Sequence, residues 1–98
     1  SICASFNVQV NNNKIKKIKI AYGGMSSIPK RALNCEKMLI NSFLSEQIIG
    51  KAKKILEKDF EPITDVRASK KYRMEVAKNL LEKCFLEVKQ RKNIRINV

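Results

Sequence analysis

The chain contains no histidine, only two prolines and only three glycines, two of which are the adjacent pair Gly23 and Gly24. Without histidine, the most common general base and metal ligand is missing. No segment of the form G-x-G-x-x-G, G-x-x-x-x-G-K or G-x-S-x-G occurs, so the sequence lacks the loops that cradle phosphates or hold a nucleophile. The chain therefore carries no enzyme signature, and we expect no catalytic or cofactor-binding residue in it.

Cysteine is also scarce, and its arrangement excludes two kinds of site. Cys3, Cys35 and Cys84 are odd in number and far apart, which argues against a disulfide framework. No C-x-x-C pair is present, so a zinc site would have to be assembled from distant thiolates and carboxylates. We predict no metal site, and we interpret Cys84, which falls in an apolar helical stripe, as a small buried hydrophobic residue.

Long apolar runs are missing as well. No run approaches the roughly 20 residues that span a bilayer, and we expect no membrane segment. The first ten residues alternate apolar with polar side chains and lack a basic leading region, so they do not resemble a signal peptide. The expectation is a cytoplasmic protein whose 98 residues form one domain with one core.

Acidic residues are few. Nine Asp and Glu stand against 21 Lys and Arg, which gives a formal net charge of +12. Such a charge is typical of nucleic-acid-binding proteins, because cations on the protein replace the counterions of phosphates. The basic residues are spread over every segment, however, and sixteen of them are Lys rather than Arg, the residue that matches phosphate and guanine geometry. A solvated basic surface, which could face an acidic partner, is favoured, and a nucleic-acid-binding module is the alternative.

The N-terminal third predicts a β-hairpin. Larger apolar side chains occupy every second position over residues 2–10, as in a strand with one buried face. The three asparagines of residues 11–13 suit a tight turn, because Asn tolerates a left-handed backbone. In the second strand, residues 14–22, Ile15 is out of phase with Ile18 and Ile20. Ile15 therefore either faces the other side, or a bulge near Lys16 and Lys17 corrects the register.

Three helices are predicted after the hairpin. The first extends from about Pro29 to Ser42, because proline suits the first turn of a helix. The second is capped by Ser45, has a clear apolar stripe and ends before Pro62. The third is capped by Ser69. The apolar stripe of this third helix contains Tyr72, Val76, Ala77, Leu80, Leu81, Cys84, Phe85 and Val88.

Residues 89–98 form either a basic tail or a short edge strand, because apolar and polar residues alternate again from Ile94 to Val98. A hairpin is marginally stable alone and needs a layer of helices over its apolar face. The predicted fold is therefore α+β, a two-layer sandwich in which three helices cover a small antiparallel sheet.

Three phrases of the sequence resemble a known family. The segment Pro62-Ile63-Thr64-Asp65-Val66-Arg67-Ala68-Ser69-Lys70-Lys71-Tyr72-Arg73 is similar to the D-x-R-A-S-x-x-Y-R segment of molybdenum hydroxylase flavoproteins. Upstream, Ala21-Tyr22-Gly23-Gly24-Met25 and Pro29-Lys30-Arg31-Ala32 stand in the order found in that family. Together they resemble the C-terminal domain of the FAD-binding subunit of a xanthine dehydrogenase or carbon monoxide dehydrogenase.

The resemblance implies a flavoprotein C-terminal domain over residues 1–88, with the same small sheet backed by helices. It also implies a fragment of an oxidoreductase whose FAD is bound mainly by upstream domains. Molybdopterin and iron–sulfur clusters would belong to partner subunits. The implied role is architectural: the domain would help to position FAD for electron transfer from iron–sulfur centres to the final acceptor. Substrate and acceptor are left open.

The resemblance and the local sequence together nominate a set of interface residues. Tyr22 could offer an aromatic face and a hydroxyl to a neighbouring domain, or it could simply end a strand. Arg31, Arg67 and Arg73 could form salt links to absent domains or be ordinary solvated residues at helix termini, and the solvated interpretation is favoured for Arg73. The full set of candidate interface residues is Tyr22, Gly23, Gly24, Met25, Arg31, Asp65, Arg67 and Ser69. We interpret the carboxylates Asp59, Glu61 and Asp65 as solvated or capping groups rather than as an acid–base pair.

Overall fold

The computed structural model describes residues 2–26, 28–60, 67–91 and 93–97, with side chains for 2–26, 28–60 and 70–90. The elements follow in the order β1 (Cys3–Asn11), β2 (Lys14–Gly23), β3 (Lys30–Arg31), α1 (Leu33–Leu39), α2 (Glu46–Asp59), α3 (Arg67–Arg91) and β4 (Asn93–Asn97). The strands form one antiparallel sheet in the order β3-β2-β1-β4. The three helices form the second layer, so the predicted α+β sandwich is confirmed.

The hairpin of β1 and β2 turns at Asn12 and Asn13, whose φ angles are 52° and 63°. Two consecutive residues with positive φ characterise the turn type that matches the twist of paired strands. Lys17 pairs with Gln9, but Ile15 pairs with Val10, so Lys16 is the extra residue of a bulge. The bulge keeps Ile15, which is fully buried, on the core side of the sheet. Of the two alternatives for the register, the bulge is the correct one.

The prediction for the first helix was wrong at its start. Lys30 and Arg31 pair with Tyr22 and Ala21 as a short edge strand, and the amide of Ala32 donates to the oxygen of Ile20 over 2.8 Å. Only seven residues, Leu33–Leu39, form α1. The backbone groups at the free edge of β2 need hydrogen-bond partners, and the segment after Pro29 supplies them.

Helix α2 forms where it was predicted. The Oγ atom of Ser45 accepts a 3.2 Å hydrogen bond from the amide of Ile48, which confirms the predicted cap. Helix α3 begins at Arg67, so Ser69 lies inside its first turn. The prediction that Ser69 is the N-cap was therefore wrong. Strand β4 pairs with β1 and extends the sheet. Residues 93–97 therefore form an edge strand rather than a basic tail.

The hydrophobic core fills the space between the sheet and the helices. Every second residue of β1 is buried, as the alternation predicted. The buried face of α3 consists of Ala77, Leu81, Cys84, Phe85 and Val88. Tyr72 was predicted to belong to this face, yet 71% of it is exposed. It lies five residues before Ala77, which at 3.6 residues per turn is about 140° around the helix from that face.

Candidate domain interface

Tyr22, the first predicted interface residue, lies in the core. None of its surface is exposed, and its hydroxyl donates a 2.7 Å hydrogen bond to the backbone oxygen of Ala77. The ring packs edge-on against Phe6 and Phe60, at centroid distances of 6.0 and 5.4 Å. Burial, followed by the nearby thiols of Cys35 and Cys84, raises the pKa of Tyr22 far above its ordinary value. Its ring and hydroxyl are therefore used inside the domain, and β2 ends one residue later, at Gly23.

The loop that follows Tyr22 contacts α3 through a hydrogen bond between Gly24 and Arg73. A Cβ atom on Gly23 would lie 2.8 Å from the Sγ atom of Cys3, and Gly24 has a φ of 89°. The positive φ favours glycine at position 24, whereas at position 23 a Cβ atom would require the exposed Cys3 side chain to shift. Arg73 donates from Nη1 to the oxygen of Gly24 over 2.8 Å, and Met25 is fully buried. Gly23 and Gly24 are partly exposed and fixed in place, whereas Met25 belongs to the core.

Arg31 is held by an ion pair within the domain. Its Nη2 and Nε atoms donate to the two carboxylate oxygens of Glu36 over 2.5 and 3.1 Å. Glu36 is only 7% exposed, and its Oε2 atom also accepts the amide of Ile20 over 2.8 Å. Pairing with Glu36 raises the pKa of Arg31. About half of the Arg31 side chain, 48%, stays exposed, so one face of the guanidinium can still contact a neighbour.

The remaining predicted interface residues are only partly described. Asp65 lies in residues 61–66, outside the described residues. Arg67 and Ser69 belong to the first turn of α3, but their side chains are not among those described. Their roles as interface residues therefore stay predictions.

Asp59 caps a helix that is distant from it in sequence. Its Oδ1 and Oδ2 atoms accept the amides of Asn34 and Cys35 over 2.7 and 2.9 Å. The last residue of α2 thus caps the start of α1, and Asp59 is only 6% exposed. The predicted capping interpretation of this carboxylate is correct, although the helix that it caps is 25 residues away in sequence.

Tyr72, near the start of α3, is an exposed aromatic residue. With Phe60, Met74 and Lys71 it lines an open groove between the end of α2 and the start of α3. Ile28, which is 69% exposed, lies in the loop before β3. Tyr72 belongs to the D-x-R-A-S-x-x-Y-R phrase, so the motif pointed to this residue even though the apolar stripe placed it in the core.

The described residues contain no cluster of three or more potential metal ligands. Burial raises the pKa of both Cys35 and Cys84 to about 12, and both thiols lie in the core, as predicted for Cys84. Among the described helices, none has the length and apolarity that crossing a membrane requires.

Comparison with known proteins identifies the family. Residues 1–88 match the model of the CO dehydrogenase flavoprotein C-terminal domain. The glyceraldehyde dehydrogenase medium chain of Sulfolobus acidocaldarius is 36% identical over 81 residues, which are 83% of this chain but 29% of that protein.

Solved structures show the same fold. Quinoline 2-oxidoreductase from Pseudomonas putida 86 superposes with a TM-score of 0.78 at 19% identity, covering 93% of this chain and 32% of that one. The Cu,Mo-CO dehydrogenase gives 0.72 at 22% identity, covering 84% and 29%. The chain spans about a third of the length of the relatives that it matches. By the family match and by its identity to the Sulfolobus chain, it belongs to the CO dehydrogenase flavoprotein C-terminal domain family.

Proposed function

We propose that this chain is the C-terminal domain of the FAD-binding subunit of a xanthine dehydrogenase-like molybdenum hydroxylase, and that its role is architectural. It packs against the flavin-binding domains and helps to position FAD for electron transfer from iron–sulfur centres to the final acceptor. The observation that carries this proposal is the family match over residues 1–88, joined to a fold whose polar groups are engaged in holding its own elements together.

The chain's own residues do not fit the pyrophosphate of FAD. Binding that group takes a glycine-rich loop at the start of a helix, where free amides face the phosphates. Gly50 lies inside α2, Gly23 ends β2 and pairs with Cys3, and the oxygen of Gly24 accepts a hydrogen bond from Arg73. FAD, like the molybdopterin and iron–sulfur clusters of the proposed assembly, is therefore assigned to other domains and subunits.

The surface proposed to face the flavin domains is the end of the molecule where β2, β3 and the start of α3 meet. Tyr72 and the exposed half of Arg31 are the described side chains that can contact a neighbour there. Asp65, Arg67 and Ser69 complete this proposed interface. The Gly24–Arg73 hydrogen bond holds the loop after β2 against α3, the helix that carries Tyr72.

Two measurements test the proposal. Titration of FAD into the isolated chain should leave flavin fluorescence unchanged, and a stoichiometric complex at micromolar FAD would contradict the assignment. In the complete subunit, deletion of the segment should accelerate FAD dissociation and slow the passage of electrons to the acceptor. If the shortened subunit retained FAD and transferred electrons at the parent rate, an architectural role would be wrong.

A further inference from the structure

The two layers of the domain differ in how their charges are balanced. All nine acidic residues lie within residues 36–87, so none of the four strands contains an Asp or a Glu. The helices contain both signs of charge, and two ion pairs, Lys53 with Glu82 and Lys78 with Glu57, join α2 to α3. The basic residues of the strands can be neutralised only by groups from outside the sheet.

Three of the strand cations are used inside the domain. Arg31 pairs with a carboxylate of α1, and Lys30 donates a 3.1 Å hydrogen bond to a backbone oxygen at the end of α2. The Nζ atom of Lys14 lies 5.5 Å from the centre of an aromatic ring. These three residues therefore have partners, and the remaining lysines of β2 are a separate group.

Lys17 and Lys19 lie on the outer face of the sheet, the face that the helices do not cover. Lys17 pairs with Gln9 and Lys19 with Asn7, and all four residues are exposed. Opposite charges on paired strands stabilise a sheet, yet both cross-strand partners here are neutral amides. Among the described residues, neither lysine takes part in an ion pair. Their charge is therefore available to a partner.

The register of β4 adds a third basic residue to this face. Arg95 is the partner of Asn7 on the side away from Lys19. Lys19, Asn7 and Arg95 thus occupy one row across β2, β1 and β4, and because neighbouring strands are about 4.8 Å apart, the row is about 10 Å wide. Lys17 lies two residues from Lys19, about 7 Å along β2. The outer face therefore carries three basic residues close together and no acidic residue.

We propose that the outer face of the sheet, at Lys17 and the row of Lys19, Asn7 and Arg95, is the docking surface for an acidic surface of a partner subunit. The inference rests on the proposed function, in which the domain is part of a multisubunit enzyme. Charges of one sign on one face create a positive potential, and carboxylates of a partner complement it, guide association and fix orientation. The surface is separate from the end proposed to face the flavin domains, because Lys17 lies about 20 Å from Gly23 along β2.

Other occupants fit this face less well. A second copy of the domain would bring its own cations against these in a symmetric contact, and like charges repel. Binding of single-stranded nucleic acid uses aromatic rings on which bases stack, yet the two aromatic residues of the strands, Phe6 and Tyr22, both lie in the core. Anionic membranes attract clusters of about four to eight basic residues, which is more than this face offers. These features favour an acidic protein as the occupant.

The test uses the complete flavin subunit and the other purified subunits of the same enzyme. We expect Lys17→Glu/Lys19→Glu to weaken assembly by about tenfold or more, and to remove the weakening by added salt that the parent shows. The matched control is Lys51→Glu/Lys54→Glu, which makes the same change of charge on the exposed face of α2. This control should assemble with nearly the affinity of the parent.

A second variant tests the face without a change of charge. Asn7→Trp places a bulky ring in the centre of the proposed contact and should weaken assembly by about tenfold or more. Its control, Gln47→Trp, places the same ring at an exposed position of α2 and should have little effect. Acetylation of lysines, read by mass spectrometry, should be about fivefold or more slower at Lys17 and Lys19 in the assembled enzyme than in the free subunit.

The outcomes separate this inference from the proposed function. If the unmodified subunits assemble and the sheet variants assemble equally well, docking on this face is wrong while the proposed function stands. Equal losses from the sheet variants and their α2 controls would show an effect that is not specific to the face and would also refute the inference. If the unmodified subunits form no complex, both proposals fail.

Two results would assign the face to another occupant and overturn the inference. One is loss of FAD from the isolated Lys17→Glu/Lys19→Glu subunit with unchanged assembly, which would place the flavin domains on this face. The other is submicromolar binding of an oligonucleotide at about 0.15 M salt, abolished by the same variant, which would assign the face to nucleic acid.

Discussion

The hydroxyl of Tyr22 and the backbone oxygen of Ala77 are 2.7 Å apart, in a hydrogen bond that joins the end of β2 to α3 across 55 residues of sequence. The sheet and the longest helix are thereby connected in the core by a polar contact as well as by packing. A buried hydroxyl without a partner would cost more than the bond contributes, because its desolvation would be uncompensated.

Replacement of Tyr22 by phenylalanine tests this contact. Tyr22→Phe should lower the free energy of unfolding by about 0.5–1.5 kcal/mol, the usual contribution of one hydrogen bond. Tyr72→Phe removes a hydroxyl from an exposed ring and should change stability by less than about 0.5 kcal/mol. Urea melts of both variants provide the measurement. Equal stabilities would show that the Tyr22 hydroxyl contributes nothing.

Stability should fall at high pH because of the buried thiols. Burial raises the pKa of Cys35 and Cys84 to about 12, above the value of about 8.5 for an exposed thiol. Folding therefore favours the protonated form, and this stabilisation is complete below about pH 8.5 and is lost as pH rises towards 12. Each thiol should lower the free energy of unfolding by up to about 1.4 kcal/mol per pH unit above about pH 9.

Denaturant melts from pH 7 to 10 should reveal this slope. Cys35→Ala/Cys84→Ala should flatten it, whereas Cys3→Ala, which changes an exposed thiol, should keep it. Above about pH 10 the buried hydroxyl of Tyr22, whose pKa is also raised, adds a further loss of the same sign. A slope that survived removal of both buried thiols would contradict their assignment.

The cap on α1 should make Asp59 far more sensitive to substitution than its neighbour Glu57. Asp59→Ala leaves the amides of Asn34 and Cys35 without their partner and should cost about 1–2 kcal/mol. Glu57 forms an exposed ion pair with Lys78, so Glu57→Ala should cost less than about 1 kcal/mol. Comparison of thermal midpoints at neutral pH is sufficient, and a larger effect at Glu57 would refute the cap.

Replacement of Gly50 and of Gly24 by alanine should change the stability of the domain in opposite directions. Gly50 lies within α2, and a Cβ atom there would meet nothing within 4 Å, so Gly50→Ala should stabilise by about 0.5–1 kcal/mol. Gly24 has a φ of 89°, a conformation that alanine adopts at a cost of about 1 kcal/mol or more. Stabilisation of the domain by Gly24→Ala would show that the loop adopts a different backbone in solution.

The core position of Phe85 is tested by truncation. The residue is fully buried, so Phe85→Ala should cost about 3–5 kcal/mol through lost burial and a residual cavity. Lys54→Ala, on the exposed face of α2, should stay within about 0.5 kcal/mol of the parent. If the two variants were equally stable, the assignment of α3 to the core would be wrong, and so would the two-layer fold.

Local patterns predicted the elements that depend on local forces. The alternation of β1, the asparagine turn and the Ser45 cap each need information from a few neighbouring residues, and all three are confirmed. The bulge at Lys16 could be stated only as an alternative, because its reason is the burial of Ile15 against the helices.

Contacts between distant segments set the limit of prediction. The strand β3 exists because the edge of β2 needs backbone partners, and no periodicity in two residues can show that. The hydrogen bonds of Asp59 to α1, and of Arg73 to Gly24, join residues 24 to 49 positions apart. Among the candidate interface residues, the sequence nominated Tyr22, which is buried, and did not nominate Tyr72, which is exposed.

The position of β4 in the sheet has a consequence for biosynthesis. Because β1 is the partner of β4, one side of β1 has no strand beside it until residues 93–97 have left the ribosome. The first of these four strands to be made is thus the last to be fully paired, and until then its open edge can pair with other chains. Removal of residues 93–97 would make that transient exposure permanent.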